Sequence, residues 1–258
     1  MTEDCSVTRV DFGSSAAKVV AVLEAFRGAS AVVGVTEIAT RTGLSKSTVH
    51  RLLAVLLEGR LVQRNGNRYM LGRAMFELGS LVPDCRPRSL REAAIPAMTD
   101  LYATTRATVS LAVLEDDEVL YVEKLFGATS VPTTVRPGSR LPALVTAPGK
   151  AMVAFSEPDV VAAYLARPGE RLTPRSLVDP RMLQAQLHTV RETGVAHDRE
   201  ESQVGARSVA VPILRLGVPV GALALTIRAT ESVNAQVINC LHNASEQITR
   251  GLRTAWAS

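Results

Sequence analysis

The sequence predicts an α+β protein in two parts: an N-terminal winged helix-turn-helix, then a larger α+β domain with a mostly antiparallel sheet. Three observations predict it. Residues 36–71 hold a capped helix behind a glycine turn and ahead of a short hairpin. Beyond residue 106 the apolar period changes from that of a helix to two, the alternation of strands. Between them lies Pro83-Asp84-Cys85-Arg86-Pro87, a joint by composition. A chain of 258 residues has room for both parts.

Residues 1–13 are expected to be loose. Ser14 or Ser15 caps a first helix to about Gly28, with Val19, Val22, Leu23 and Phe26 as its buried stripe. A second helix covers residues 36–42, and Gly43 supplies the left-handed residue after it. Ser45 caps the third helix, which runs to about Gly59. In it Val49, Leu52, Leu53 and Leu56 form one apolar stripe. Ser47, His50, Arg51 and Ala54 share that spacing shifted by two residues, so they point the other way. Residues 61–64 and 68–71 read as strands about an Asn65-Gly66 turn, which makes a wing.

The outward set is small, polar or cationic, the composition of a helix that enters a DNA major groove. Its first-turn amides, with Lys46 and Ser47, make a phosphate-seeking end. From Arg41 to Arg73 seven cations (Arg41, Lys46, Arg51, Arg60, Arg64, Arg68, Arg73) accompany one acid, Glu58. The local net charge is therefore about +6, while the whole chain carries only +4. The expected DNA contact set is Arg41, Ser45, Lys46, Ser47, Thr48, His50 and Arg51, with Arg64, Asn67 and Arg68 on the wing. A solvated charged face on a small helical domain is the plainer alternative.

Residues 72–81 form a helix with Met75, Leu78, Phe76 and Leu81 on an apolar edge; it is too short to stand alone and should pack on a second subunit. Ser89 caps a helix over residues 90–105, with Ala93, Ala94, Ala97, Met98 and Leu101 inward. Strands are expected at 107–114 and 119–125, joined by Glu115-Asp116-Asp117, and at 131–136, closed by Pro137-Gly138. Short helices follow at 149–155 and 159–166. Asp179-Pro180 opens a helix that Gly194 ends. Strands at 195–198, 208–214 and 220–228, the last two turning at Leu216-Gly217, precede a final helix over 232–254. The resulting division is residues 1–71, a joining segment 72–88, and 89–258.

Composition excludes several classes. Aromatic residues make up 4% of the chain, too few for recognition of single strands by stacking. Cys5, Cys85 and Cys240 show neither zinc spacing nor a disulfide framework, which fits a reducing cytosol. The N-terminus MTEDCSV lacks the apolar core of a signal peptide, and no run of 18 apolar residues exists to span a membrane. His197-Asp198-Arg199-Glu200-Glu201 is rich in metal-type ligands, yet strand neighbours point to opposite faces, so it reads as a charged turn. No Gly-x-Ser-x-Gly elbow and no phosphate loop is present. In LPALVTAPGK, residues 141–150, a Gly-Lys helix start either faces a carboxylate or leaves Lys150 solvated. No catalytic constellation assembles and no cofactor is expected, which favours ligand sensing over catalysis.

Over about residues 14–254 the chain resembles the IclR family of bacterial transcription regulators. The resemblance rests on TEIATRTGLSKSTVHRLLAVLLEGRLVQR, on LGRAMFELG, on RLPALVTAPGKAMVAF and on GVAHDREESQVGARSVAVPIL. It implies a winged helix-turn-helix, a linker helix that dimerises, and a GAF-like effector domain. It further implies a homodimer or dimer of dimers on palindromic double-stranded DNA operators, and a small carboxylate or aromatic catabolite as effector. The family's pocket positions fall here on Leu141, Ala147, Pro148, Asp198, Ser208, Ala224 and Thr226. This chain has Ser208 where Cys is usual, Pro148 for a small residue, and Ala224 where some members carry a hydroxyl; fewer polar groups imply a less polar effector or a degenerate pocket. The rival reading is an enzyme acting on a small acid, with a metal near Asp198 and Glu201.

Overall fold

In the computed structural model the described residues are 14–27, 32–83, 89–127, 131, 133, 135–167 and 169–255, the side chains of the last three aside. Residues 1–13, Gly28 and most of the expected joint lie outside them. The chain divides into two compact units, Met1–Val82 and Pro83–Ser258.

In the first unit α1 spans Ser15–Glu24, α2 Val35–Thr42 and α3 Lys46–Glu58. Ser14 caps α1 by accepting from the Ala17 amide, and Ser45 caps α3 by accepting from Thr48 N at 3.2 Å. Gly43, at φ 69°, ends α2 in the left-handed region. The α3 stripe Val49, Leu52, Leu53 and Leu56 is buried against Val22, Ile38, Val62 and Tyr69. A hairpin follows, β1 (Val62–Asn65) with β2 (Arg68–Leu71), and Val33 adds a single bridge to Tyr69. The turn sits one residue later than the sequence led us to expect. Asn65 pairs with Arg68, so Gly66-Asn67 are the two turn residues, and Gly66 alone takes positive φ, 61°. That is the pattern with glycine first in the turn rather than second. Helix α4 (Arg73–Gly79) buries none of its residues within the chain, and Phe76 is 80% exposed.

The second unit is a six-stranded sheet with helices on both faces. Its strands are β3 (Thr108–Glu115), β4 (Glu118–Leu125), β5 (Arg140–Pro142), β6 (Ala196–Arg199), β7 (Ala206–Arg215) and β8 (Val218–Arg228), in the order β5-β4-β3-β8-β7-β6. Every pairing is antiparallel. The helices are α5 (Leu90–Thr105), α6 (Ala147–Val153), α7 (Pro158–Leu165), α8 (Pro180–Thr193) and α9 (Ala235–Ala255). Ser89 and Asp179 cap α5 and α8 through their side-chain oxygens, and Gly194 closes α8 at φ 72°.

The strand expected at 131–136 is not formed by its described residues, 131, 133, 135 and 136. Residues 140–142 take the edge beside β4 instead. Pro132 and Pro137 have no N–H to offer a ladder, which favours this outcome. Among the described residues no helix is long and apolar enough to cross a membrane.

The two sheet faces differ in residue size. Val109, Leu111, Val209, Val211, Ile213, Leu223 and Leu225 pack with α5 and α9. On the other face Ala112, Ala196, Ala210, Ala222 and Ala224 meet α6. Such small residues let a helix backbone approach closely, and α6 is buried at every position. Its Gly149 could be nothing else, because a Cβ there would lie 2.1 Å from the Ala143 carbonyl oxygen.

Candidate nucleic-acid interface and ligand cavity

The N-terminal end of α3 carries the first site. Ser45 Oγ lies 3.0 Å from Ser47 Oγ and 2.9 Å from Thr48 Oγ1, so three hydroxyls gather where the helix amides are free. Lys46, Ser47, His50 and Arg51 are exposed, opposite the buried stripe. On the wing Arg64 stands over the Tyr69 ring at 5.7 Å, and Asn67 and Arg68 are exposed.

Two of the expected contact residues are engaged within the unit. Arg41 donates to the Ala25 and Arg27 carbonyls at 2.9 and 3.1 Å and pairs with Glu37 at 2.9 Å. Arg68 meets the other oxygen of Glu37 at 3.3 Å. Glu37 lies just before the window over which the charge was counted, and its pairing with Arg68 crosses 31 residues of chain. It lowers the net charge of the surface below the sequence sum. Lys46, His50, Arg51 and Arg64 keep no ion pair among the described residues.

A cavity of about 330 Å³, in the size range of small-molecule sites, opens on the small-residue face of the second unit. Of the seven residues expected there, Leu141, Ser208 and Thr226 line it. Ala147 and Pro148, which open α6, and Ala224, on the sheet face that α6 covers, are buried and do not reach the wall. Asp198 is buried too, and its carboxylate is spent on the following turn: it accepts from Glu201 N at 2.7 Å, from Ser202 N at 3.3 Å and from the Ser202 hydroxyl. Burial raises its pKa above the usual carboxylate range, against those hydrogen bonds.

Most of the polar wall was not foreseen. Ser110, Tyr121, Lys124, Thr133, Ser202 and Gln203 line the cavity with Ser208 and Thr226, whose hydroxyls lie 2.9 Å apart. The polar groups that seemed short at the expected positions are therefore supplied by others. Lys124 was hidden by a bulge. Leu111 pairs with Glu123 but Ala112 with Tyr121, so one residue of β4 is extra. The alternation slips there, and Tyr121 and Lys124 become buried although three apart. Ser110 had a legible signal, a small polar residue in an alternating strand.

Among the described residues Lys124 is the one charged side chain on that wall. It is 9% exposed, donates to the Val135 carbonyl at 2.9 Å, and has no carboxylate partner among the described residues. Desolvation lowers its pKa to about 8. Burial, with the Asp198 charge added, pushes the Tyr121 phenol far above its usual range, so it remains a donor.

The Gly149-Lys150 segment faces a carboxylate of the protein itself. Lys150 is 1% exposed, and its Nζ lies 2.6 and 2.7 Å from the two oxygens of Glu201. Asp198 and Glu201 are thus both committed internally: the charged turn that leaves β6 holds two buried carboxylates, while Arg199 is exposed. Among the described residues no three His, Cys, Asp or Glu side chains gather as a metal site.

Comparison with known proteins bears on both sites. Residues 15–66 match the IclR helix-turn-helix domain, and residues 86–250 match the bacterial transcriptional regulator IclR C-terminal domain. The chain is 32% identical over 246 residues to the HTH-type transcriptional regulator KdgR of Dickeya chrysanthemi, covering 93% of this chain and 80% of that one. It is 34% identical over 195 residues to the regulator XynR of Escherichia coli, covering 74% and 77%. Among solved structures, an IclR homolog from Microbacterium hydrocarbonoxydans complexed with 4-hydroxybenzoate superposes with a TM-score of 0.82 at 28% identity, over 93% of this chain and all of that one. The Thermotoga maritima IclR gives 0.76 at 29% identity, over 91% and 97%.

Proposed function

The chain belongs to the IclR family of bacterial transcriptional regulators, and from that premise we propose that it reads a palindromic operator as a homodimer, or dimer of dimers, under control of a small acid. Residues 1–71 form the DNA-binding domain, 72–88 the linker and 89–258 the effector domain. The observation that carries the reading is α3. Its N-terminal end is capped, its apolar stripe is buried, and its opposite face presents Lys46, His50 and Arg51, beside Ser47, with no ion pair among the described residues. Arg51 and His50 reach base edges, while Lys46, the Ser45–Thr48 hydroxyls and Arg64 hold phosphates.

Helix α4 supplies the dimer contact. Phe76, Leu78, Leu81 and Val82 are exposed there, and a seven-residue helix with nothing buried needs a partner. Two α3 helices then meet two half-sites related by the dimer axis. The effector enters the Lys124 cavity. An ammonium with no carboxylate beside it favours an anion, and the surrounding hydroxyls favour one bearing polar substituents. 4-Hydroxybenzoate, bound by the Microbacterium relative, is the first probe. The family and the relatives named above are regulators, which sets aside the enzyme reading; the place of action is the cytoplasm, with the DNA.

The test begins with selection of bound duplexes from a random pool, which should return an inverted repeat. Fluorescence anisotropy at fixed salt then compares that duplex with a scrambled one. Arg51→Ala should weaken the selected duplex by about 1–3 kcal/mol and the scrambled one much less. Equal loss on both would make Arg51 a phosphate contact, and binding indifferent to salt would remove DNA from the account altogether.

A further inference from the structure

A second cavity, of about 430 Å³, lies between α8 and β6. It is separate from the Lys124 cavity. Successive residues of β6 point to opposite faces, so His197 and Arg199 line this one while Asp198 turns to the other side.

Three polar groups at this cavity have no protein partner among the described residues. Gln186 Oε1 is buried with no hydrogen-bond donor, a state that protein interiors rarely leave uncompensated. The His197 imidazole and the Arg199 guanidinium make no hydrogen bond or ion pair among the described residues. The floor is the Lys150–Glu201 pair, which cancels its own charge. What remains is positive: Arg199, with Arg207 paired opposite it across the β6–β7 ladder. Burial first, then the charges of Arg199, Arg207 and Lys150, keep His197 below its usual pKa, so its neutral ring offers one N–H and one acceptor. Leu177, Met182 and Val190 close the rest with apolar surface.

We propose that the α8–β6 cavity is a second ligand site, for a small hydroxy acid, coupled to the effector cavity through the turn that both share. The carboxylate pairs with Arg199, the hydroxyl donates to Gln186 Oε1, and the carbon skeleton lies on Leu177 and Val190. Glu201 lines this cavity, whereas Ser202 and Gln203 line the other. Asp198 bonds the amides of both Glu201 and Ser202, so the turn moves as one piece. A ligand on either side then changes the other's affinity by the same factor. The site stands without the effector reading; the coupling rests on it.

The test uses full-length protein labelled in the histidine rings and methionine methyls. Lactate, glycerate and mandelate are titrated to about 20 mM, beside their amides. At least one acid should shift His197 and Met182 saturably while His50, His188 and His242 stay still. Arg199→Ala should abolish the shift, Gln186→Leu should weaken it at least tenfold, and Thr226→Val in the other cavity should leave it. Unmoved His50, His188 and His242 signals show that each variant is folded. Silence of His197 toward all three acids, an equal response to the amides, or a shift that survives both variants overturns the site. A shift that leaves affinity for the selected duplex and for 4-hydroxybenzoate unchanged keeps the site and overturns the coupling.

Discussion

The two faces of the six-stranded sheet are made by alternate residues of the same strands, and they do different work. Toward α5 and α9 the strands present Val109, Leu111, Val211, Ile213, Leu223 and Leu225, which fill space with apolar volume. Toward α6 they present Ser110, Ala112, Ser208, Ala210, Ala224 and Thr226, which do not. Small residues let α6 come close in one part of that face and leave a polar cavity in the other. One face is held by packing, where cost scales with volume lost. The other is held by pairing, where cost depends on which partner is left alone.

The largest effect should come from Lys150→Met. It strands the Glu201 carboxylate in a buried position, an error worth about 3–5 kcal/mol, read from urea denaturation. The double substitution Lys150→Met with Glu201→Met should recover most of that, because an apolar pair has no charge to desolvate. Leu223→Ala comes next on the opposite face, at about 2–5 kcal/mol, and no neighbouring substitution should restore it so simply. Failure of the double variant to recover would mean that the small-residue face is held by packing like its counterpart.

The packed face was the more legible of the two. Apolar alternation, the Ser89 and Asp179 caps and the Leu216-Gly217 turn are local signals, and each marks an element found in the structure. The stripe of α3 and its exposed opposite face were read from helical spacing alone. The cavity was not, because its chemistry depends on departures from period. A bulge of one residue brings Lys124 beside Tyr121, and strict alternation would have sent it away. Glu37 escaped for a similar reason: its meeting with Arg68 is made by the fold, 31 residues apart in sequence. The resemblance placed Leu141, Ser208 and Thr226 at the wall, but this chain puts its charge where the resemblance assigns none.

That charge gives a prediction with a sign. Below about pH 8 the Lys124 ammonium is buried in the folded chain and carries a desolvation cost. As pH rises from there toward the ordinary lysine range, the folded chain loses a proton that the unfolded chain keeps. The unfolded state then binds more protons, so stability rises with pH across that window. Lys124→Met should therefore be more stable than the parent near neutrality, with the difference shrinking by about pH 10. An anionic effector reverses the balance by favouring the ammonium, so its affinity for the parent should fall above pH 8. Parallel denaturation curves and a titration with 4-hydroxybenzoate read both. A difference that stays constant with pH would remove Lys124 as the source.

The smallest effect is the most discriminating. Thr226→Val keeps the shape of the side chain and removes the hydroxyl that lies 2.9 Å from Ser208 Oγ. On a face held by pairing, the loss is that of one hydrogen bond, about 1 kcal/mol, and Ser208→Ala added to it should cost little more, because no partner is then left over. On a face held by packing, Thr226→Val should be nearly silent and Ser208→Ala should add its own increment independently. A double-mutant cycle separates the two cases. Coupling near zero would make the Ser208–Thr226 pair incidental to the cavity wall.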